Sequence, residues 1–232
     1  FRLKEDSAII NHLGFNNKGS EYVEKKLKKL NLNSLSNRIV GINIGKNKET
    51  KNYIDDYNYC LEKLGPLVHY VTINISSPNT PGLRDLHSSS NLKILIESLD
   101  KATKLCGYTK PIFLKVSPDE KNESINEIIQ IVNDSSFTGL IVSNTSIDKT
   151  LLKNNSYHDY EGGLSGKPIM DKSTQLLNHI HKNNLSMPLI GVGGVLSKQD
   201  FQNKINSGAQ LVQLYTGFVV KGPKIVSDIL KD

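Results

Sequence analysis

The chain has 232 residues, 37% hydrophobic and 22% charged, with a formal charge of +6. That length suits one sizeable α/β or all-β domain, and no apolar run approaches the 18 residues that would span a bilayer. The charge does not announce a nucleic-acid binder. Only Arg2, Arg38 and Arg84 are arginine, the lysines are scattered, and no recognition motif accompanies them. Two cysteines, Cys60 and Cys106, make neither a disulfide framework nor a CxxC pair, and His179 and His181 are spaced for different helix faces, so no metal site is expected.

In chain order, the first dense feature is the run Lys25, Lys26, Lys28 and Lys29, with Val23, Leu27 and Leu30 as its apolar stripe. That is the pattern of a helix with a solvated basic face. From Ile39 onward, short β-branched runs alternate with helix-period segments. The expected strands are Ile39–Ile44, Val68–Ile75, Ile112–Val116, Gly139–Val142, Leu189–Val192 and Leu211–Tyr215. The expected helices are Asn52–Leu64, Asn91–Cys106, Ser124–Asn133, Lys172–Lys182 and Asp200–Asn206. Near-continuous apolar strands between helices predict right-handed βαβ units and a parallel sheet. An open six-stranded sheet would satisfy the pattern. The polar or glycine-rich tip after every strand favours instead a (β/α)8 TIM barrel, in which all such tips share one functional face. Six repeats then predict two further strands upstream and a longer native protein. The polar stretch Leu152–Gly166 reads as a long βα loop, of the kind used as a lid or clamp.

The densest chemistry lies in Asn74-Ile75-Ser76-Ser77-Pro78-Asn79-Thr80-Pro81-Gly82-Leu83-Arg84. Two prolines stiffen the loop and hold neutral donors and acceptors at a strand tip, which suits a planar polar heterocycle. A proline-rich turn whose Ser and Asn satisfy their own backbone fits the same letters. Lys115, inside the strand FLKV, is costly to bury without an anionic partner. Either a ligand or an internal carboxylate such as Asp119 would serve.

The run NISSPNTPGLR closely resembles the catalytic segment of dihydroorotate dehydrogenases. FRLKEDSAIINHLGFNN, VGINIGKNK, FLKVSPD, IVSNTS, EGGLSGKP, IGVGGV and LVQLYTG follow the same family's order along the whole chain. Serine at Ser77 marks the class 2, quinone-dependent enzymes, where class 1 has cysteine. The resemblance implies an FMN-containing flavoenzyme that oxidises dihydroorotate to orotate, the fourth step of pyrimidine synthesis, with ubiquinone as electron acceptor. It implies Ser77 as the general base at substrate C5. Asn11, His12, Leu13, Gly14, Phe15, Asn74, Asn79, Asn144 and Thr145 would hold the substrate. Asn43, Asn74, Lys115, Ser143, Ser165, Gly166, Gly193, Gly194, Tyr215 and Thr216 would hold FMN, with Gly166, Gly194, Tyr215 and Thr216 at its phosphate. Arg2 would lie near a quinone channel.

His12 departs from the family's usual arginine. The implied setting is a monomer, peripherally held on the mitochondrial inner membrane, or on a bacterial inner membrane from the cytoplasmic side. Three other readings carry distinct marks. A soluble relative using fumarate or NAD would have cysteine at position 77. A non-flavin barrel isomerase would be colourless, and a non-catalytic paralogue would have lost its polar site residues.

Overall fold

The computed structural model describes residues 1–30, 38–183 and 187–231. Strands β1 (Arg2–Leu3) and β2 (Ala8–Asn11) precede helix α1 (Ser20–Leu30), strand β3 (Gly41–Ile44) and helix α2 (Tyr53–Leu64). There follow β4 (Tyr70–Asn74), α3 (Ser89–Cys106), β5 (Ile112–Val116), α4 (Asn122–Asn133) and β6 (Gly139–Val142). The chain continues through β7 (Gly163–Gly166), α5 (Met170–Asn183), β8 (Leu189–Val192), α6 (Lys198–Asn206), β9 (Leu211–Gln213), α7 (Thr216–Lys221) and α8 (Lys224–Leu230).

Six strands make one parallel sheet in the order β3-β4-β5-β6-β8-β9, and between every neighbouring pair, β3 and β4 included, the chain runs through a helix. All six strands expected from the sequence are present, three with the expected bounds; Ile39–Ile44 is shortened at its start to Gly41–Ile44, Val68–Ile75 at both ends to Tyr70–Asn74, and Leu211–Tyr215 at its tip to Leu211–Gln213. Among the described residues β3 and β9 are the edges, so these six strands do not by themselves close a ring.

Side chains alternate between the two faces of a strand. On one face, Ile73, Leu114 and Leu140 pack with Leu92, Leu95, Leu99, Ile125, Ile128 and Leu177 from the helices into the main core. On the other, Phe113, Ile141 and Ile190 form a separate apolar cluster flanked by Tyr70 and Val192, with Tyr70 and Phe113 edge to face at 5.9 Å. Further along that second face come Thr72 and then Asn74 after Tyr70, Lys115 after Phe113, and Ser143 after Ile141. The sheet therefore offers a dry floor that changes to polar side chains at the strand tips.

The stretch Leu152–Gly166 is not a loop throughout. It ends in β7, which pairs antiparallel with β2 (Ala8 opposite Gly166, Asn11 opposite Gly163), and β2 pairs with β1. Glycine makes that approach feasible. A Cβ on Gly162 would lie 2.2 Å from the Asn11 carbonyl oxygen, and one on Gly166 would lie 2.4 Å from that of Ser7. The small sheet brings the N-terminal segment across the tips of the large one.

Candidate active site

Above the dry floor lies a cavity of about 510 Å3, within the usual range for small-molecule sites. It collects residues from seven tips and loops: Asn11 and Leu13 to Phe15, Asn74 with Ser77 and Asn79, Lys115, Ser143 to Thr145, Ser165 and Gly166, Gly193 and Gly194, and Tyr215 and Thr216. Ser77 and Lys115 thus share one chamber, although 38 positions separate them.

The asparagines form a connected relay. Asn74 Nδ2 donates to Asn43 Oδ1 (3.2 Å), and Asn74 Oδ1 accepts from Asn144 Nδ2 (3.1 Å) and from Ser76 N–H (3.2 Å). Asn144 Oδ1 accepts from Thr145 N–H (2.8 Å), which fixes which edge of the carboxamide faces the chamber. Asn79 Nδ2 donates to the Asn11 carbonyl (3.0 Å) and to Asn11 Oδ1 (3.1 Å). Its own Oδ1 is buried with no partner among the described residues. A buried acceptor left open is costly unless a ligand fills it.

Ser77 is buried, and among the described residues its Oγ accepts only the Asn79 N–H (3.3 Å). Its proton is therefore free to point into the chamber. The bonds from Asn79 to Ser77 and from Ser76 to Asn74 are the local turn bonds that a bland proline-rich loop would make, yet Asn74, Ser77 and Asn79 also line the cavity.

Lys115 sits on the polar end of β5, opposite Asn74 in the ladder. Burial pushes its ammonium down to about 8. The internal carboxylate considered for it is taken elsewhere. Asp119 is bound by Arg84 Nη1 (3.1 Å) and Lys172 Nζ (2.6 Å) and also accepts from Ser146 Oγ and Ile147 N–H. Burial opposes ionisation of Asp119, but those donors outweigh it and hold its carboxyl below the ordinary range. Among the described residues Lys115 has no ion-pair partner, which leaves its charge for whatever occupies the cavity.

The Arg84–Asp119–Lys172 cluster was not expected from the sequence beyond Arg84 closing the NTPGLR run. It clasps three tips: Arg84 also donates to the carbonyls of Ser76 (3.4 Å) and Thr145 (3.2 Å). Ser76, fully buried, donates to the Lys115 carbonyl (2.7 Å), and the buried Tyr57 hydroxyl donates to the Asn74 carbonyl (2.7 Å). These groups carry the tips that line the chamber without lining it themselves. Only their partners in space reveal that.

At the far end the donors are mostly backbone. Gly193 and Gly194 have φ of 112° and 79°, in the region glycine favours, and among the described residues their N–H groups have no backbone acceptor. Thr216 Oγ1 donates to Ser165 Oγ (2.8 Å), which donates in turn to the Ile9 carbonyl (3.2 Å).

Three expected residues lie off the chamber wall. Asn43 reaches it only through Asn74. His12 turns outward, with Nδ1 3.3 Å from Glu161 Oε2 and both side chains largely exposed. Arg2 lines a separate cavity of about 260 Å3 with Leu3 to Asp6, Asn154 and Tyr157.

Residues 1–232 match the model of the dihydroorotate dehydrogenase family. A dihydroorotate dehydrogenase (quinone) of Christiangramia forsetii is 45% identical over 99% of this chain and 66% of its own length. One of Bartonella tribocorum is 43% identical over the whole chain and 65% of its own length. Two crystal structures of the Eimeria tenella enzyme, one with ferulenol and one ligand-free, superpose with TM-scores of 0.90 and 0.92 at 31% identity. Each covers 99% of this chain and 68% or 69% of the solved one. The chain spans about two thirds of the length of the curated relatives it matches. With a parallel α/β sheet of barrel type and a chamber at its strand tips, this chain belongs to the dihydroorotate dehydrogenase family.

Proposed function

We propose that this protein oxidises dihydroorotate to orotate with FMN and passes the electrons to a quinone. The observation that carries the reading is the convergence of Ser77, Lys115 and the asparagine relay on one chamber that ends in glycine N–H groups without a backbone acceptor among the described residues. The residues present fit FMN. An unpaired buried cation suits the electron-rich edge of a flavin, the dry floor suits its ring, and bare N–H groups suit a phosphate. Lys115, Ser143, Asn74 and, through Asn74, Asn43 would hold the ring and ribityl chain. Ser165, Gly166, Gly193, Gly194, Tyr215 and Thr216 would hold the phosphate. When bound, the flavin supplies the hydride acceptor for substrate C6.

The chain's own residues do the rest. Asn11, Asn79, Asn144 and Thr145 present amide and hydroxyl groups to a pyrimidinedione, whose edge alternates donors and acceptors. The open Asn79 Oδ1 takes a ring N–H. Ser77 Oγ takes the C5 proton. A hydroxyl is a weak base, and among the described residues no carboxylate or imidazole hydrogen-bonds to it, so its own proton leaves to water. Leu13, Gly14 and Phe15 cover the substrate; the Phe15 ring packs so closely over Gly45 that a Cβ there would lie 3.2 Å from it. Arg2 faces the quinone path, and His12 tunes the covering segment through Glu161.

Quinone as acceptor is supported by Ser77 and by the names of the relatives, and the enzyme acts as a monomer. No helix among the described residues is long and apolar enough to cross a membrane. The bacterial relatives favour the cytoplasmic side of a bacterial inner membrane over the mitochondrial setting. The test is spectroscopic. Full-length protein should be yellow and bleach anaerobically on adding dihydroorotate. Its colour should return with a short-chain ubiquinone, but not with fumarate or NAD. Absence of bleaching would end the substrate assignment.

A further inference from the structure

Lys204, on α6, lines neither of the two cavities described above, and its side chain is fully buried. Burying an amine is expensive unless its hydrogens find partners. Its Nζ donates to Ser173 Oγ (2.6 Å) and Thr174 Oγ1 (2.9 Å), near the start of α5. No carboxylate closes on it among the described residues. Asp200, one turn earlier on α6, is engaged by Lys167 at 2.9 Å. Burial pulls the lysine down to about 7, with Asp200 and Asp171 opposing that fall. Such a residue is placed for what it holds.

The direction of the bonds shows what that is. A hydroxyl has one proton. Because Lys204 fills a lone pair of Ser173 Oγ, the Ser173 proton goes to the Met170 carbonyl (3.1 Å) or the Gly193 carbonyl (3.2 Å). The Met170 carbonyl already accepts from Thr174 Oγ1 at 2.7 Å, so Gly193 is the less supplied of the two. In a planar trans peptide the C=O and the following N–H point opposite ways. Drawing the Gly193 carbonyl against α5 turns the Gly194 N–H away from that helix, toward the cavity Gly194 lines. The fit leaves little slack: a Cβ on Gly193 would lie 2.8 Å from Ser173 Oγ, and one on Gly194 2.5 Å from Met170 Cβ.

We propose that Lys204 is a positioning residue for the anionic end of the cofactor, acting through Ser173 to hold the Gly193–Gly194 peptide with its N–H aimed at the phosphate. This rests on the reading of the chamber as an FMN site. The experiment compares FMN with riboflavin, which lacks the phosphate. Full-length protein stripped of flavin is titrated with each by fluorescence quenching, for wild type, Lys204→Met, Ser173→Ala and the double variant. Wild type should prefer FMN. Each single variant should lose about tenfold in FMN affinity, roughly the worth of one charge-assisted hydrogen bond, while riboflavin affinity stays unchanged. The double variant should lose no more than the singles, because both act on one peptide. Equal losses for the two flavins, or fully additive losses, would overturn the proposal by making Lys204 a general packing residue. If Lys204→Met does not fold, Ser173→Ala decides alone, since it leaves the amine bonded to Thr174. A wild type that binds neither flavin would instead overturn the site reading beneath.

Discussion

The two ends of the chamber are built on different principles. At the tips of β4, β5 and β6 the chemistry belongs to side chains: Ser77, Lys115 and three asparagines, braced by Arg84, Asp119 and Lys172. Around Gly193, Gly194 and Thr216 it belongs largely to the backbone, and the side chains that matter, Ser173 and Lys204, stand behind it. A side-chain site can be damaged by changing the letter that does the chemistry. A backbone site has no such letter and is damaged only through its supports.

The largest effect should come at the side-chain end. Ser77→Ala should slow anaerobic flavin reduction by dihydroorotate by roughly 10²–10⁴, the usual worth of a positioned base, while flavin content stays normal. Stopped-flow traces matching wild type would remove Ser77 from the proton transfer.

Next in size is the brace. Asp119→Ala leaves Arg84 and Lys172 without their shared carboxylate and should lower stability by about 3 kcal/mol, read from the urea midpoint. Because the folded Asp119 carboxyl titrates below its ordinary value, it favours folding above pH 4. That contribution disappears as pH falls through the folded value. The variant should therefore lose less than wild type on acidification. A variant as stable as wild type at pH 7 would show that the tips hold without the clasp.

Lys115→Met should separate binding from stability. The folded amine titrates at about 8 against an ordinary 10.5, so between those values the unfolded chain holds more protons and stability rises with pH. At pH 7 the buried ammonium works against folding, and the variant without flavin should be more stable by ~2 kcal/mol. Its FMN affinity should nonetheless fall. Gain in both properties would deny Lys115 a ligand contact.

The smallest expected change is at the glycine end. Gly194→Ala puts a methyl group against Met170 at φ +79°, and should lower stability by about 1–2 kcal/mol while weakening FMN more than riboflavin. A loss equal for both flavins would blur the contrast between the two ends.

Much of the main sheet was legible because buried parallel strands are written as unbroken β-branched runs, and IFLKV, GLIV and LIGV occur with the expected bounds. β7 was not legible. GLSG is short, half glycine, and gains its strand geometry from a partner more than 150 positions away. His12 and Arg2 were placed at the site by resemblance of local sequence, but a side chain's direction depends on the backbone that carries it. The chain turns His12 outward to Glu161.

The sequence by itself determined the alternation of strands and helices, the polar tip after each strand and the reactive letters Ser77, Lys115, Asn74, Asn79 and Asn144. Hydrophobic period and residue chemistry are local properties. Only the tertiary structure decided which acceptors stay open, why Lys115 goes unpaired while Asp119 serves Arg84 and Lys172, and that the buried Lys204 stands behind a glycine turn. Those are questions of which groups have already spent their hydrogen bonds, and that accounting closes only when distant segments meet.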